Sequence, residues 1–229
     1  MHRLECANNS ALRHPPQVSC TFMTQPAFSP AAEQNKQPIL DKLLPVLPPQ
    51  GAALEIASGT GQHAAWFGRH LPGWTWQPSD WQTDAAESIA LHAARAGARQ
   101  VLPALQLDVC THPWLQATPG AAEVATFDLI FCANMLHIAP WAACAGLMRG
   151  SAQHLAPGGR LVTYGPYLEK DVITTRSNLD FDASLRQRNP AWGIRWREEV
   201  EREALQAGLC LSQRHSMPAN NLLLVWART

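Results

Sequence analysis

Three acids and one small-residue loop stand at spacings that suit a grip on a single nucleoside: Glu55, the stretch Ala57-Ser58-Gly59-Thr60-Gly61, Asp80 and Asp108. The loop breaks the run LEIASGTGQHAAWF (54–67) between an apolar segment and a helical pattern. Glycines there allow a tight turn and close approach of a ligand, and the helix that follows offers unpaired N–H groups. Asp80 lies about 20 residues beyond the loop, where a carboxylate can accept both hydroxyls of a ribose. Asp108 can take the exocyclic amine of adenine, with Val109 offering a backbone N–H and Trp81 packing on the base. Each acid by itself also suits a helix cap, and Trp81 suits ordinary packing. A second group follows a later apolar run. His137 titrates near neutrality and can act as a base, or can pack beneath a ligand. Asn134 can bond cofactor or substrate, or end a strand. Tyr164 and Tyr167, the only tyrosines, flank Gly165-Pro166 and can line a substrate side.

The elements that must position these residues alternate. Ser29 to Leu44 reads as a helix with Ser29 as N-cap, Pro30 in the first turn, and Ile39, Leu40, Leu43 and Leu44 as an apolar stripe. Strands are expected over 53–57, 74–78, 101–107, 127–132 and 161–164. Helices are expected over 62–70, 83–96 (closed by Gly97) and 140–154. This alternation predicts a parallel sheet covered on both faces. A polar, irregular stretch then spans 165–197. A last helix, 198–207, precedes two strands, 209–217 and 221–227. In such a sheet, ligands bind at the carboxyl ends of the strands where the strand order reverses. Glu55 to Gly61, Asp80, Asp108 and Asn134 all fall at expected strand ends.

The bulk composition narrows the function classes. The 229 residues are 46% apolar, enough for one α/β core. Eighteen basic and eighteen acidic residues give zero formal net charge, so no nucleic-acid partner is expected. Of the six cysteines none forms a C-x-x-C pair, which predicts a reducing, cytoplasmic setting with neither a disulfide framework nor a metal cluster. Cys110 and Cys132 lie in apolar runs and are expected to be buried. No apolar stretch is long enough to span a membrane, and 1–22 lacks a signal-peptide core. Residues 1–27 are expected to be a disordered leader, with Met23 an alternative start, and 28–229 one domain. Trp66, Trp74, Trp76 and Trp226 fit core positions.

Two cofactors carry adenine and ribose: a nicotinamide dinucleotide and S-adenosylmethionine. Gly59-Thr60-Gly61-Gln62-His63-Ala64 can be read as the dinucleotide pattern with Ala64 in the third place. The string EIASGTG more closely resembles the E/D-x-G-x-G-x-G loop of class I methyltransferases, with Ala57 in place of the first glycine. In that group the acid matching Glu55 helps hold the loop and the methionine amine. From about Phe28 onward the chain resembles the methyltransferase-like 26 family. The resemblance rests on SPAAEQNKQPIL, LEIASGTGQHAAWF, WQPSD, FCANMLHIAPW, GGRLVTYGPY, SNLDFDASLRQRNPAWGI and MPANNLLLVW. It implies an α/β, three-layer Rossmann-like class I methyltransferase fold whose seven-stranded, mostly parallel sheet has an antiparallel last strand. It brings no substrate.

Methyl transfer is an in-line displacement, for which a protein aligns and desolvates the reacting pair. In this architecture the end of the fourth strand faces the methyl, so Asn134, His137 and Tyr164 become candidate catalytic residues. The stretch 165–197 becomes a substrate-side insertion. Its Arg176, Arg186 and Arg188 suit a substrate carboxylate or phosphate, or pair with Asp180 and Asp182; Asn178 lies among them. Glu33, Asn35 and Lys36 fold over the cofactor mouth or form a surface helix, and Asn220 and Asn221 suit a turn. The expectation is a small-molecule acceptor, no metal, no membrane, and a homodimer where an apolar patch is exposed. The alternatives are a nicotinamide-dependent oxidoreductase and a non-catalytic scaffold that keeps the fold.

Overall fold

The computed structural model describes residues 25–115 and 125–229. Most of the expected leader, 1–24, lies outside them. Within the described remainder of that leader, the chain is tied down at Ala27, whose N–H donates to Ser88 Oγ (2.9 Å). Helix α1 (Pro30–Leu43) starts as its sequence dictates, with Ser29 Oγ accepting from the Ala32 N–H. Ile39, Leu40 and Leu43 are buried, but Leu44 is exposed because the helix ends one residue earlier.

Strand β1 (Gly51–Ile56) leads into α2 (Gln62–His70), β2 (Trp74–Asp80) and α3 (Ala85–Ala96). Gly97 closes α3 at φ 65°, a left-handed cap that glycine adopts without penalty. The third strand is far shorter than expected. Only β3 (Leu105–Gln106) pairs with β2, and Val101 makes an isolated bridge to Trp76. Pro103 lies between them and has no N–H to give the ladder.

Strand β4 (Phe127–Ala133) and helix α4 (Trp141–His154) follow expectation, whereas β5 (Leu155–Leu168) is much longer. Its register with β4 jumps from Phe127–Leu155 to Leu129–Arg160, so Ala156 to Gly159 form a bulge rather than a turn outside the sheet. Its tail runs past Gly165-Pro166 because β8 and β6 pair with it on either side. The stretch expected to be irregular therefore holds the end of β5, α5 (Arg176–Arg188) and the short β6 (Arg195–Trp196). Helix α6 (Arg197–Gln206) and the hairpin β7 (Leu209–Met217) and β8 (Asn221–Arg228) complete the chain.

The strand order is β3-β2-β1-β4-β5-β8-β7, with β6 paired to the end of β5. Strands β1 to β5 are parallel, and β8 runs antiparallel between β5 and β7. Period-two alternation splits β4 between two cores. Leu129 and Phe131 meet Ile39 and Leu43 of α1 and Phe67 of α2. Ile130 and Cys132 meet Leu147 and Met148 of α4 and Val200 of α6. The result is three layers with helices on both faces.

Candidate active site

The chain leaves β1 toward β2 and β3, then returns to add β4 and β5 on the other side. The switch in direction lies between the carboxyl ends of β1 and β4, the place where sheets of this kind open a crevice. Each strand is followed directly by a residue with positive φ that is not glycine: Ala57 at 56° and Asn134 at 59°. L-residues rarely adopt this conformation, and it concentrates at ligand sites. Ala57 thus takes the backbone shape that glycine would take at the head of the loop.

The loop is held from below. The Ser58 N–H donates to the Ser79 carbonyl (2.9 Å), and the Ser79 hydroxyl donates to the Glu55 carbonyl (2.7 Å). Asp80 Oδ2 accepts from the Gly59 N–H (2.8 Å), and Asp80 Oδ1 from the Gln82 N–H (3.0 Å). Asp80 therefore braces the loop, and each oxygen keeps a lone pair for a ligand hydroxyl. Gly61 is required by space as well as by its φ of 88°, since a Cβ there would lie 2.5 Å from Ile89 Cα. Thr60 accepts through its carbonyl from Ser88 Oγ (2.8 Å), so α3 also anchors the loop.

Glu55 is 1% exposed, and its Oε2 accepts from Trp76 Nε1 at 2.6 Å. Burial pushes its carboxyl up to about 8, with the Trp76 N–H opposing and Asp80 adding to the rise. An ammonium brought beside it would restore the carboxylate. This buried acid is therefore suited to a ligand amine.

Beyond Asp80 lies a groove of about 330 Å³, lined by Trp81, Leu107, Asp108 and Trp114 among others. Trp81 is 65% exposed on its wall, so it is not a core residue. Asp108 is exposed, with Oδ1 accepting from the Cys110 N–H (2.9 Å). Val109 is buried and its carbonyl accepts from Trp114 Nε1 (3.2 Å). Cys110 is exposed rather than buried, because β3 ends at Gln106 and the chain turns outward.

On the other side of the crevice stand Asn134 and His137. Burial first, then Arg195 and Arg188, pushes the His137 imidazole down to about 4. The near-neutral titration expected from sequence is therefore corrected: the ring is uncharged at neutral pH and is a weak base. Tyr164 points toward α1, with the side chains of Asn35 and Asn221 beside its hydroxyl. Burial raises its pKa against those amides, so it stays a neutral phenol. Tyr167 lies three residues on, faces the opposite core, and donates to Thr163 Oγ1 (2.9 Å). The two tyrosines do not share a face.

Helix α5 covers the β4 end, with Phe181 edge-on to the His137 ring at 5.6 Å. Arg176 pairs with Asp180 and Arg186 with Asp182, so the neighbouring acids take up two of the three arginines; Arg188 lies over the Trp192 ring. Asn178 reaches the Asn220 carbonyl (3.4 Å). Asn220, at φ 56°, takes the turn conformation expected of it.

Sequence reasoning left out a relay behind the site. His63 Nε2 and Asn35 Oδ1 are 2.6 Å apart, and Asn35 continues to Tyr164. Gln62 Oε1 accepts from the Ser29 N–H (2.6 Å), while its amide donates to Glu33, which also pairs with Lys36. The start of α1 is thereby stitched over the start of α2, and EQNK lies on that helix. The available signal was the placement of Gln62 and His63 directly after Gly61. Trp66, placed in the core by pattern, is half-buried beneath Lys36 instead.

Among the described residues, no group of three or more His, Cys, Asp or Glu could hold a metal ion, and no helix is long and apolar enough to cross a membrane. Residues 26–228 match the family model described as Protein of unknown function (DUF938). Three solved structures illustrate the fold. The SAH-bound methyltransferase CalO1 of calicheamicin biosynthesis is 15% identical over 80% of this chain and 50% of its own, with a TM-score of 0.65. An O-methyltransferase family 2 protein from Planctomyces limnophilus, in complex with apigenin, is 19% identical over 87% and 62%, with a TM-score of 0.66. An O-methyltransferase family protein from Burkholderia thailandensis is 19% identical over 87% and 58%, with a TM-score of 0.66. This chain spans between half and two thirds of the length of these structures. The likeness shows the Rossmann-like α/β fold.

Proposed function

We propose, for a chain that belongs to the family described as Protein of unknown function (DUF938), a methyl transfer from S-adenosylmethionine to a small-molecule acceptor. The narrower likeness to the methyltransferase-like 26 family is part of the same reading, on the sequence stretches that carry it. The observation that carries the reading is the convergence at one crevice of a buried acid, a left-handed glycine loop, and acids at or just beyond the ends of β2 and β3. The residues fit this cofactor. Glu55 meets the amine, Ala57, Gly59, Thr60 and Gly61 shape the cradle, and Asp80 takes ribose hydroxyls on its spare lone pairs. Trp81, Asp108 and the Val109 N–H form the adenine groove. Of the similar structures, one holds SAH and another apigenin, which agrees with this cofactor and a small acceptor. The dinucleotide alternative fits less well, because its usual sheet order is 3-2-1-4-5-6, without an antiparallel strand inserted beyond the fifth.

When bound, the cofactor supplies an electrophilic methyl group on sulfur. Asn134, with its left-handed backbone, aims its side chain at the acceptor side of the crevice. His137, uncharged at neutral pH, is free to receive the acceptor's proton at a ring nitrogen. Phe181 and α5 exclude water above it. Tyr164 holds its proton and serves by position within the Asn35–Asn221 relay. The free thiols of Cys110, Cys132, Cys144 and Cys210 agree with a reducing compartment such as the cytoplasm.

Calorimetric titration tests the reading. S-adenosylmethionine and S-adenosylhomocysteine should bind with roughly micromolar affinity and NAD should not, and Asp108→Ala should weaken both by roughly tenfold. Binding of NAD in place of the other two overturns the proposal.

A further inference from the structure

Beyond the loop, the crevice wall carries two polar side chains with nothing to bond. Neither the ring nitrogens of His137 nor the side-chain amide of Asn134 has a hydrogen-bond partner among the described residues, although His137 is only 7% exposed. Asn134 is half-buried and the His137 ring lies beside it, so both polar groups remain open to a ligand. Both groups border one small space. A Cβ built on Gly165 would lie 3.6 Å from His137 Nδ1 and 3.8 Å from Asn134 Oδ1. Glycine leaves that space open, next to the crevice at the carboxyl ends of β4 and β5.

The surroundings limit what can enter. Phe181 offers an aromatic edge beside the imidazole. The nearest charges acting on His137 are Arg195 and Arg188. Arg195 is spent on the carbonyls of Leu136, Ala139 and Ala191, and Arg188 lies over Trp192. A carboxylate would face Asn134 Oδ1, itself an acceptor. An ammonium would shed its water with no carboxylate among the atoms nearest that space to receive it. A hydroxyl can donate to Asn134 Oδ1 or to His137 Nδ1, in the tautomer that leaves that nitrogen bare, so a neutral donor suits both.

We propose that the space over Gly165 is the acceptor subsite, and that it takes an uncharged, ring-borne hydroxyl held between Asn134 Oδ1 and His137 Nδ1. Gly165 is then a specificity-determining residue, since any side chain would occupy the place of the hydroxyl. The assignment rests on the methyl-transfer reading, which puts the reacting methyl at the end of β4.

The test uses the full chain saturated with S-adenosylhomocysteine and three one-ring probes: phenol, benzoate and benzylamine. Binding is followed by the NMR signals of the Asn134 side-chain amide and the His137 imidazole. Phenol should shift both signals, and benzoate and benzylamine should bind at least roughly tenfold more weakly. Gly165→Ala should weaken phenol by roughly tenfold or more while S-adenosylhomocysteine still binds. Asn134→Gly gives a second variant, because it removes the amide while glycine tolerates the same backbone. Tighter binding of either charged probe, phenol binding that survives both variants, or no phenol response at all overturns the assignment. Failure of S-adenosylhomocysteine to bind, with the phenol response intact, overturns the methyl-transfer reading alone.

Discussion

Glu55 carries the strongest pH signature of any residue in the crevice. Its folded-state carboxyl titrates near 8 against an ordinary 4.5, so the folded protein keeps a proton that the unfolded chain releases in between. The stability this proton confers is complete below about 4.5 and is lost as pH rises through about 8. Glu55→Gln keeps an oxygen for Trp76 Nε1 and has nothing to titrate. The ligand-free wild type should therefore lose thermal midpoint relative to Glu55→Gln between about pH 6 and pH 9. A constant difference across that range would show that the carboxyl titrates normally. His63 and His137, both pushed down to about 4 chiefly by burial, act at the other end. They remove stability as pH falls from about 6.5 toward 4, where the unfolded chain takes up protons first.

At the scale of elements, one arginine joins the segment after α5 to the turn after β4. Arg195, at the start of β6, donates from Nε to the Leu136 carbonyl (3.0 Å) and from Nη2 to those of Ala139 (2.6 Å) and Ala191 (2.8 Å). Beside it the Gly193 N–H donates to the His137 carbonyl (3.0 Å), and the Ile194 N–H to Asp182 Oδ1 (2.7 Å). Helix α5, the segment behind it and the turn after β4 are thus tied together. Arg195→Ala should cost about 1–3 kcal/mol in chemical denaturation. It should also speed amide exchange at Gly193 and Ile194 by roughly tenfold or more. Lysine should recover little, because it lacks the planar fork that reaches several carbonyls at once. Unchanged exchange at those two amides would show that β6 pairing alone holds that segment.

The whole molecule depends on a strand that comes last in the chain and lies inside the sheet. β8 pairs with β5 on one edge and β7 on the other, so both of its faces meet helices. Trp226 at its centre is fully buried and donates to Thr163 Oγ1 (3.1 Å). Trp226→Ala should destabilise by about 3–5 kcal/mol in urea unfolding, as large-to-small core changes do. A loss below about 1 kcal/mol would mean that the C-terminal hairpin contributes little to the common core.

The sequence by itself determined the alternation of strands and helices, the ends of α2, α3 and α4, and the C-terminal hairpin. These follow from local rules: apolar period, a serine cap, a glycine closing α3, and asparagines in a turn. The residues at the mouth of the crevice were legible for the same reason, since a strand end followed by a small-residue loop or an acid is a local pattern. Pro103 was visible too, and its missing N–H is why β3 shrank. Only the tertiary structure decided the rest. The bulge in β5 and its long tail arise because β4, β6 and β8 supply partners far away in sequence. The Glu55 and His137 protons are shifted by burial, which no residue carries in its own identity. Tyr164 has Asn35 and Asn221 beside it, which lie 129 and 57 positions away. The space over Gly165 exists only because β4 and β5 are neighbours, since a glycine is read as an opening only when something stands across from it.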